Sequence, residues 1–212
     1  QTGIDVANSK DGTVEVQSNN INVAYYGMRV TNSQGGTVEV QGNNITNAQN
    51  GMLVTNSQDG TVEVQSNNIT DAQNGMWLAN SQTGTLEVQD NTIKNGEWGV
   101  IMMNAEEPHS IKININHNRF QNNEVAVYSD NPEITVVGNI FEGNTYALDY
   151  DDHFGRAVIL KAEYNYWGCD NGPNETCDHT TYTWGDVDYT PWLIDPDHDY
   201  VFDTSDGSGN FK

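Results

Sequence analysis

Positive charge is what this chain has least of: 8 Lys plus Arg stand against 30 Asp plus Glu, a formal net charge of −22 over 212 residues. Phosphate binding needs clustered Lys and Arg, so this balance excludes nucleic acid and anionic membrane surfaces as partners. Cations, salty water or a basic surface are the natural counterparts. Cysteine is nearly absent, with 2 residues, and proline is scarce, with 5. No apolar stretch approaches the roughly 18 residues that a helical membrane span requires, so no span is expected. No leader segment is legible, and Gln1 fits a processed amino terminus. Apolar residues make up only 35% of the chain, a level at which acidic sequences are often disordered. The regular spacing of Val, Ile and Met argues against disorder here.

What is present is a repeat. Gly12 to Gly35, Gly36 to Asp59 and Gly60 to Thr83 are three successive blocks of 24 residues, nearly identical. Each runs G-T-V-E-V-Q-x-N-N-I, then about five variable residues, then G-M-x-V/L and T/A-N-S-Q. A fourth copy begins at Gly84 and drifts, and later ones remain legible through Ile113/Ile115/Asn118/Phe120, Ile134/Val136/Asn139/Phe141 and Leu160/Ala162/Asn165/Trp167. A period of this length marks a solenoid, a propeller or a helical array. Within it, Val14 and Val16 alternate with Thr13, Glu15 and Gln17, which is the two-residue period of half-buried strands. The absence of any amphipathic helical segment excludes helical repeats. A propeller blade needs about 40 residues, and the Leu frame of leucine-rich repeats is missing.

The remaining architecture coils the chain so that each strand pairs with the same strand one turn later, about 4.8 Å away. Like residues then stack. The predicted inward columns are Val14/Val38/Val62/Leu86/Ile113/Ile134, Val16/Val40/Val64/Val88/Ile115/Val136, Ile21/Ile45/Ile69/Ile93/Phe120/Phe141/Trp167 and Met28/Met52/Met76/Val100/Val127/Leu148. An equally regular polar column runs Asn19, Asn43, Asn67, Asn91, Asn118, Asn139 and Asn165. It is read as structural: a bend at which Asn takes left-handed backbone geometry, with stacked amides bonding from coil to coil.

The V-x-V-x-x-N-x-I/F and G-I/M-x-V/L pattern resembles the right-handed parallel β-helix repeats of the pectin-lyase-like superfamily, including NosD-like surface and periplasmic proteins. The run Asn165-Tyr166-Trp167-Gly168, then Gly172-Pro173, then Gly185 to Leu193, looks like the closing segment of secreted members. The resemblance covers about residues 2 to 193. It implies an all-β, right-handed solenoid of six to eight coils. It leaves the activity open, because the superfamily hosts lyases, hydrolases, epimerases, adhesins and structural modules.

Residues 1–193 are therefore expected to form the β-helix, with 165–193 as a carboxy-terminal cap and 194–212 as an acidic tail or linker. Gln1 to Ser9 aligns with Gln49 to Ser57, so the first coil begins part-way round. A solenoid end without a cap exposes core and unpaired backbone groups. This leaves two readings, a piece of a longer β-helix or self-association of open coils end to end. Cys169 and Cys177 are expected to form a disulfide, as paired cysteines do in exported chains.

Chemistry is sought on the outward columns. Glu39, Glu63 and Glu87, with Glu15, form an acidic ladder whose carboxylates repel unless cations bridge them. Calcium, which takes oxygen ligands, is the candidate, against the plainer reading of a solvated acidic face. Leu53, Trp77, Ile101 and Tyr128 form an apolar outward column suited to sugar rings or a partner chain, or to packing under a loop. An enzyme reading would centre on Asp149, Asp151, Asp152, His153 and Arg156, since paired carboxylates do acid and base work when their environments differ. As the resemblance implies, lyases on this fold use a basic residue beside calcium-binding acids, and hydrolases spread Asp over consecutive coils. Here the acids crowd into one turn, which favours a non-catalytic chain. The five His show no metal-ligand spacing. Asn44, Asn68 and Asn174 head glycosylation sequons. Taken together, these features predict an extracellular structural or adhesive β-helix, with a polysaccharide-binding or polysaccharide-cleaving enzyme as the rival.

Overall fold

The computed structural model describes residues 2–8, 11–22, 25–32, 35–56, 59–80, 83–103, 110–130, 134–151, 159–170, 172–173, 177, 179–182, 186–196, 201–203 and 210–211. They form a right-handed β-solenoid without helices. One coil is traced by β1 (Thr2–Asn8), β2 (Thr13–Gln17) and β3 (Asn20–Asn22), and the next begins with β4 (Tyr26–Asn32). The same three kinds of strand recur down the chain and assemble into three sheets. The first holds eight strands from Thr2–Asn8 to His179–Tyr182, and the second eight from Thr13–Gln17 to Asp186–Asp188. The third holds ten, from Asn20–Asn22 onward.

Pairing is parallel and in register from coil to coil: Val14 faces Val38, Glu15 faces Glu39, Ile21 faces Ile45 and Met28 faces Met52. All four predicted apolar columns are recovered. Their inner members, such as Val38, Val62, Ile69, Met52 and Met76, are fully buried. Alternation fixes this register, because a slip of one residue would turn every core side chain to the solvent. Further along, Phe120, Phe141 and Trp167 occupy the Ile column and stack nearly face to face, with ring centroids 5.4 and 5.1 Å apart.

The Asn column forms a hydrogen-bonded ladder, but its geometry differs from the expectation. The left-handed residue is the one before each Asn: Ser18, Gly42, Ser66, Asp90, His117, Gly138 and Tyr164 all have φ between 54° and 69°. A second left-handed position follows the short third-sheet strand, at Asn47, Asp71, Asn95, Asn122 and Gly143. The three-residue strand is thus bracketed by two corners. The ladder Asn is left in ordinary backbone geometry with its amide turned inward.

There each amide works as a two-way bridge. Asn67 Oδ1 accepts from the backbone N–H of Asn43 at 2.9 Å and from Asn43 Nδ2 at 2.9 Å. Asn67 Nδ2 in turn donates to the carbonyls of Val40 and Gln65 and to Asn91 Oδ1. The pattern continues to Asn165. A shorter ladder unforeseen from the sequence links Gly96 N–H, Asn123 and Asn144 at the second corner. Buried polar groups in a narrow core are stable only when paired, and these ladders pair the corner backbone that no sheet can reach.

At the carboxy-terminal end Trp167 and Leu193 are buried, and Trp192 Nε1 donates to the Asp170 carbonyl at 3.2 Å. Cys169 and Cys177 form a disulfide, with Cα atoms 5.8 Å apart. Val201–Asp203 pairs antiparallel with Trp192–Leu193, and Asn210–Phe211 pairs antiparallel with Val201–Asp203. Part of the acidic tail therefore continues the third sheet.

Candidate functional site

In-register stacking turns each outward position into a column, and two columns carry chemistry. On the second sheet Glu15, Glu39, Glu63 and Glu87 face one another in succession, and the column continues into Asn114, Thr135 and Lys161. Asn114 Nδ2 donates to Glu87 Oε1 at 2.6 Å, so the last carboxylate is held by an amide. Among the described residues no group of three or more His, Cys, Asp or Glu is placed to hold a metal ion. The acidic ladder exists as predicted, but the calcium expectation at Glu39, Glu63 and Glu87 is not supported. A single file of side chains along a flat sheet does not converge on one point, as the six to eight oxygens around calcium must.

On the first sheet the column runs Asp5, Arg29, Leu53, Trp77, Ile101, Tyr128 and Asp149. At its beginning Arg29 and Asp5 form a two-pronged, exposed ion pair at 2.7 and 3.2 Å. Leu53, Trp77 and Tyr128 are half-buried and Ile101 is buried. Trp98, from the same strand as Ile101, meets Tyr128 edge-on with ring centroids 5.6 Å apart, and its Nε1 donates to Glu97 Oε1 at 3.2 Å. Met103, just beyond that strand, is exposed.

Carboxylates lie on the Tyr128 side of this aromatic pair, with Asp149 the register partner of Tyr128 in the next coil. The Tyr128 phenol is pushed above its ordinary value of 10.0, first by burial and then by the negative charges of Asp130, Asp151 and Asp149. The structure thus brings Asp149 and Asp151 together around Tyr128, and adds Asp130, which the sequence reading did not single out. Its signal was its position two residues after Tyr128, at the end of the same strand. Asp152, His153 and Arg156 lie outside the described residues.

Asn44 and Asn68 sit half-buried on the outward face of the third sheet, in adjacent coils. Asn44 Nδ2 donates to Asn20 Oδ1 at 3.1 Å, and Asn68 Nδ2 to Asn44 Oδ1 at 2.8 Å. Both sequon nitrogens are therefore engaged in an amide chain. Asn174 lies outside the described residues.

A family profile described as periplasmic copper-binding protein (NosD) matches residues 1–185. The chain belongs to the NosD family. No curated protein and no solved structure matches it. The family is a periplasmic one, which agrees with the disulfide in placing the chain, at a coarse level, outside the cytoplasm. Among the described residues no helix is long and apolar enough to cross a membrane.

The family name raises copper, so the donors of this NosD-family chain bear on the question. Copper favours imidazole, thiolate and thioether ligands. Cys169 and Cys177 are spent on each other, and Met28, Met52, Met76 and Met102 are sealed in the core at 0% exposure, which leaves Met103, exposed just beyond a first-sheet strand, as the one accessible thioether among the described residues. His117 is exposed beside Asn116 Oδ1, 3.2 Å away. The described donors do not fit a copper centre. His109, His153 and His198, and the side chain of His179, lie outside the described residues.

Proposed function

We propose that this chain is a structural and adhesive β-helix working outside the cytoplasm, as the stalk of a surface adhesin or as a subunit of a filament. The observation that carries this reading is in-register repetition, with the Glu column and the apolar column each running through four successive coils. An active site is a local departure from a repeat. A rod that presents the same face at every turn gains reach and multivalency from the repetition itself. Residues 1–193 form the working body in this reading, with end-to-end contact between coils as the mode of assembly. The amide chain through Asn20, Asn44 and Asn68 competes with glycosylation at two of the three sequons, which leaves Asn174 as the remaining candidate.

A second reading rests on the carboxylates around Tyr128. Asp149 and Asp151 beside an aromatic pair resemble the furniture of a polysaccharide-binding or polysaccharide-cleaving site. Electron microscopy of natively purified material discriminates the two. Rods joined end to end, with an axial spacing of about 4.8 Å between coils, are the expected outcome. Uniform single solenoids that shorten a polysaccharide would overturn the structural reading in favour of the enzyme.

A further inference from the structure

The first-sheet face between Trp77 and Asp149 combines two features. It is aromatic and apolar at its centre, through Trp77, Trp98, Ile101 and Tyr128. It is also acidic at its border, through Glu97, Asp130, Asp149 and Asp151. Aromatic faces attract cations through their ring quadrupole, and the attraction grows when the cation is partly desolvated. Carboxylates beside such rings supply the charge-assisted partners that an ammonium or guanidinium needs. The column itself already contains one example, because Arg29 lies along the sheet one coil from Asp5 and is held by it.

We infer that this face is a docking strip for a basic polypeptide segment of a partner, whose Lys or Arg side chains lie over Tyr128 and Trp98 and end on Asp130 and Asp149. Charge complementarity names the occupant. A chain of net charge −22 draws cationic partners from a distance and repels anionic ones, and the aromatic centre fixes where the segment settles. The inference deepens the adhesive reading by naming the class of partner, and it rests on that reading only for its biological setting.

The test titrates the full chain with a fluorescent decapeptide of alternating Lys and Gly, at low and at high salt. Cellohexaose, a neutral sugar chain, is titrated in parallel. The expected result is peptide binding that weakens with salt and drops about tenfold in Trp98→Ala and in Tyr128→Leu, with no binding of the sugar. Asp130→Asn with Asp149→Asn removes the charge at nearly constant volume and should give a similar loss, with unchanged circular dichroism. Glu39→Gln with Glu63→Gln removes the same charge from the second sheet and should leave binding within about twofold. Equal losses from both double variants would reduce the strip to general attraction by an acidic surface and overturn the proposal. Binding of cellohexaose without the peptide would also overturn it, and would assign the strip to a polysaccharide. Neither result bears on end-to-end assembly, which electron microscopy reads separately.

Discussion

Asn67 shows how much one side chain carries in this fold. Its amide accepts from two donors on Asn43 and donates to the carbonyls of Val40 and Gln65, all within a coil whose core excludes water. Asn67→Ala strands these groups together. Each buried orphan costs about 1 to 3 kcal/mol, so a loss of roughly 3 kcal/mol or more is expected in urea unfolding. Asn19 is only half-buried, and among the described residues its Oδ1 has no donor from a preceding coil, so Asn19→Ala should cost about 1 kcal/mol. Equal costs at the two positions would mean that the ladder bonds contribute nothing beyond local packing. Trp167 presents the converse case, a fully buried indole whose Nε1 finds no acceptor among the described residues. Trp167→Phe keeps the stack on Phe141 and removes the orphan donor. It should change stability by less than about 1 kcal/mol, whereas Trp167→Ala should cost about 3 to 5 kcal/mol. Tyr128 supplies a pH signature. Its folded-state pKa lies above its unfolded value, so the folded chain holds the phenolic proton more tightly and stability falls as pH rises through and beyond about 10. Tyr128→Phe should flatten part of that alkaline loss in melting curves taken between neutral pH and pH 11.

At the scale of the strand, what was legible in the sequence was what repeats. The inward columns, the Glu file and the apolar file are each set by a two-residue alternation that near-identical blocks restate, so their register could be read directly. The corners could not. The left-handed residue is Ser, Gly, Ser, Asp, His, Gly and Tyr in turn, with no common chemistry, while the conspicuous Asn is the neighbour that pairs the backbone the corner leaves open. The second ladder escaped notice because only Asn123 and Asn144 build it; earlier coils place buried Ala48 and Ala72 at that level. The collar around Tyr128 was half-legible, since Asp149 follows from the register whereas the approach of Asp130 and Asp151 depends on how the chain leaves its strands. Glycine carries one more constraint. A Cβ on Gly51 would press into the Gly75 carbonyl oxygen and lie 2.7 Å from Ile69 Cγ2, and Gly75 is placed in the same way against Gly99. Gly51→Ala should therefore cost about 1 to 3 kcal/mol by overpacking, measured as a fall in the urea midpoint at unchanged slope. The matching positions Ala126 and Ala147 carry a buried methyl, in the coils where Phe120 and Phe141 replace Ile in the third sheet.

For the whole molecule the governing quantity is charge. Four Glu side chains follow one another along the second sheet at about 4.8 Å per coil, on a chain of net charge −22, and like charges at that spacing oppose the compact state. If the file is a solvated face, its repulsion is relieved by any electrolyte. Raising NaCl from about 0.01 M to 1 M shortens the Debye length from about 30 Å to about 3 Å, and the melting temperature should climb by several degrees. Calcium chloride at matched ionic strength should do no more than sodium chloride, and a chelator should leave the curve where it was. A rise of several degrees at millimolar calcium, absent with sodium and abolished in Glu39→Gln with Glu63→Gln, would show instead that the file gathers a divalent ion in solution. That would restore the cation-bridged ladder. The comparison also bears on the docking strip, because a basic segment settling beside Tyr128 relieves the same repulsion that salt does. The bound chain should therefore melt higher at low salt and show a smaller response to added electrolyte.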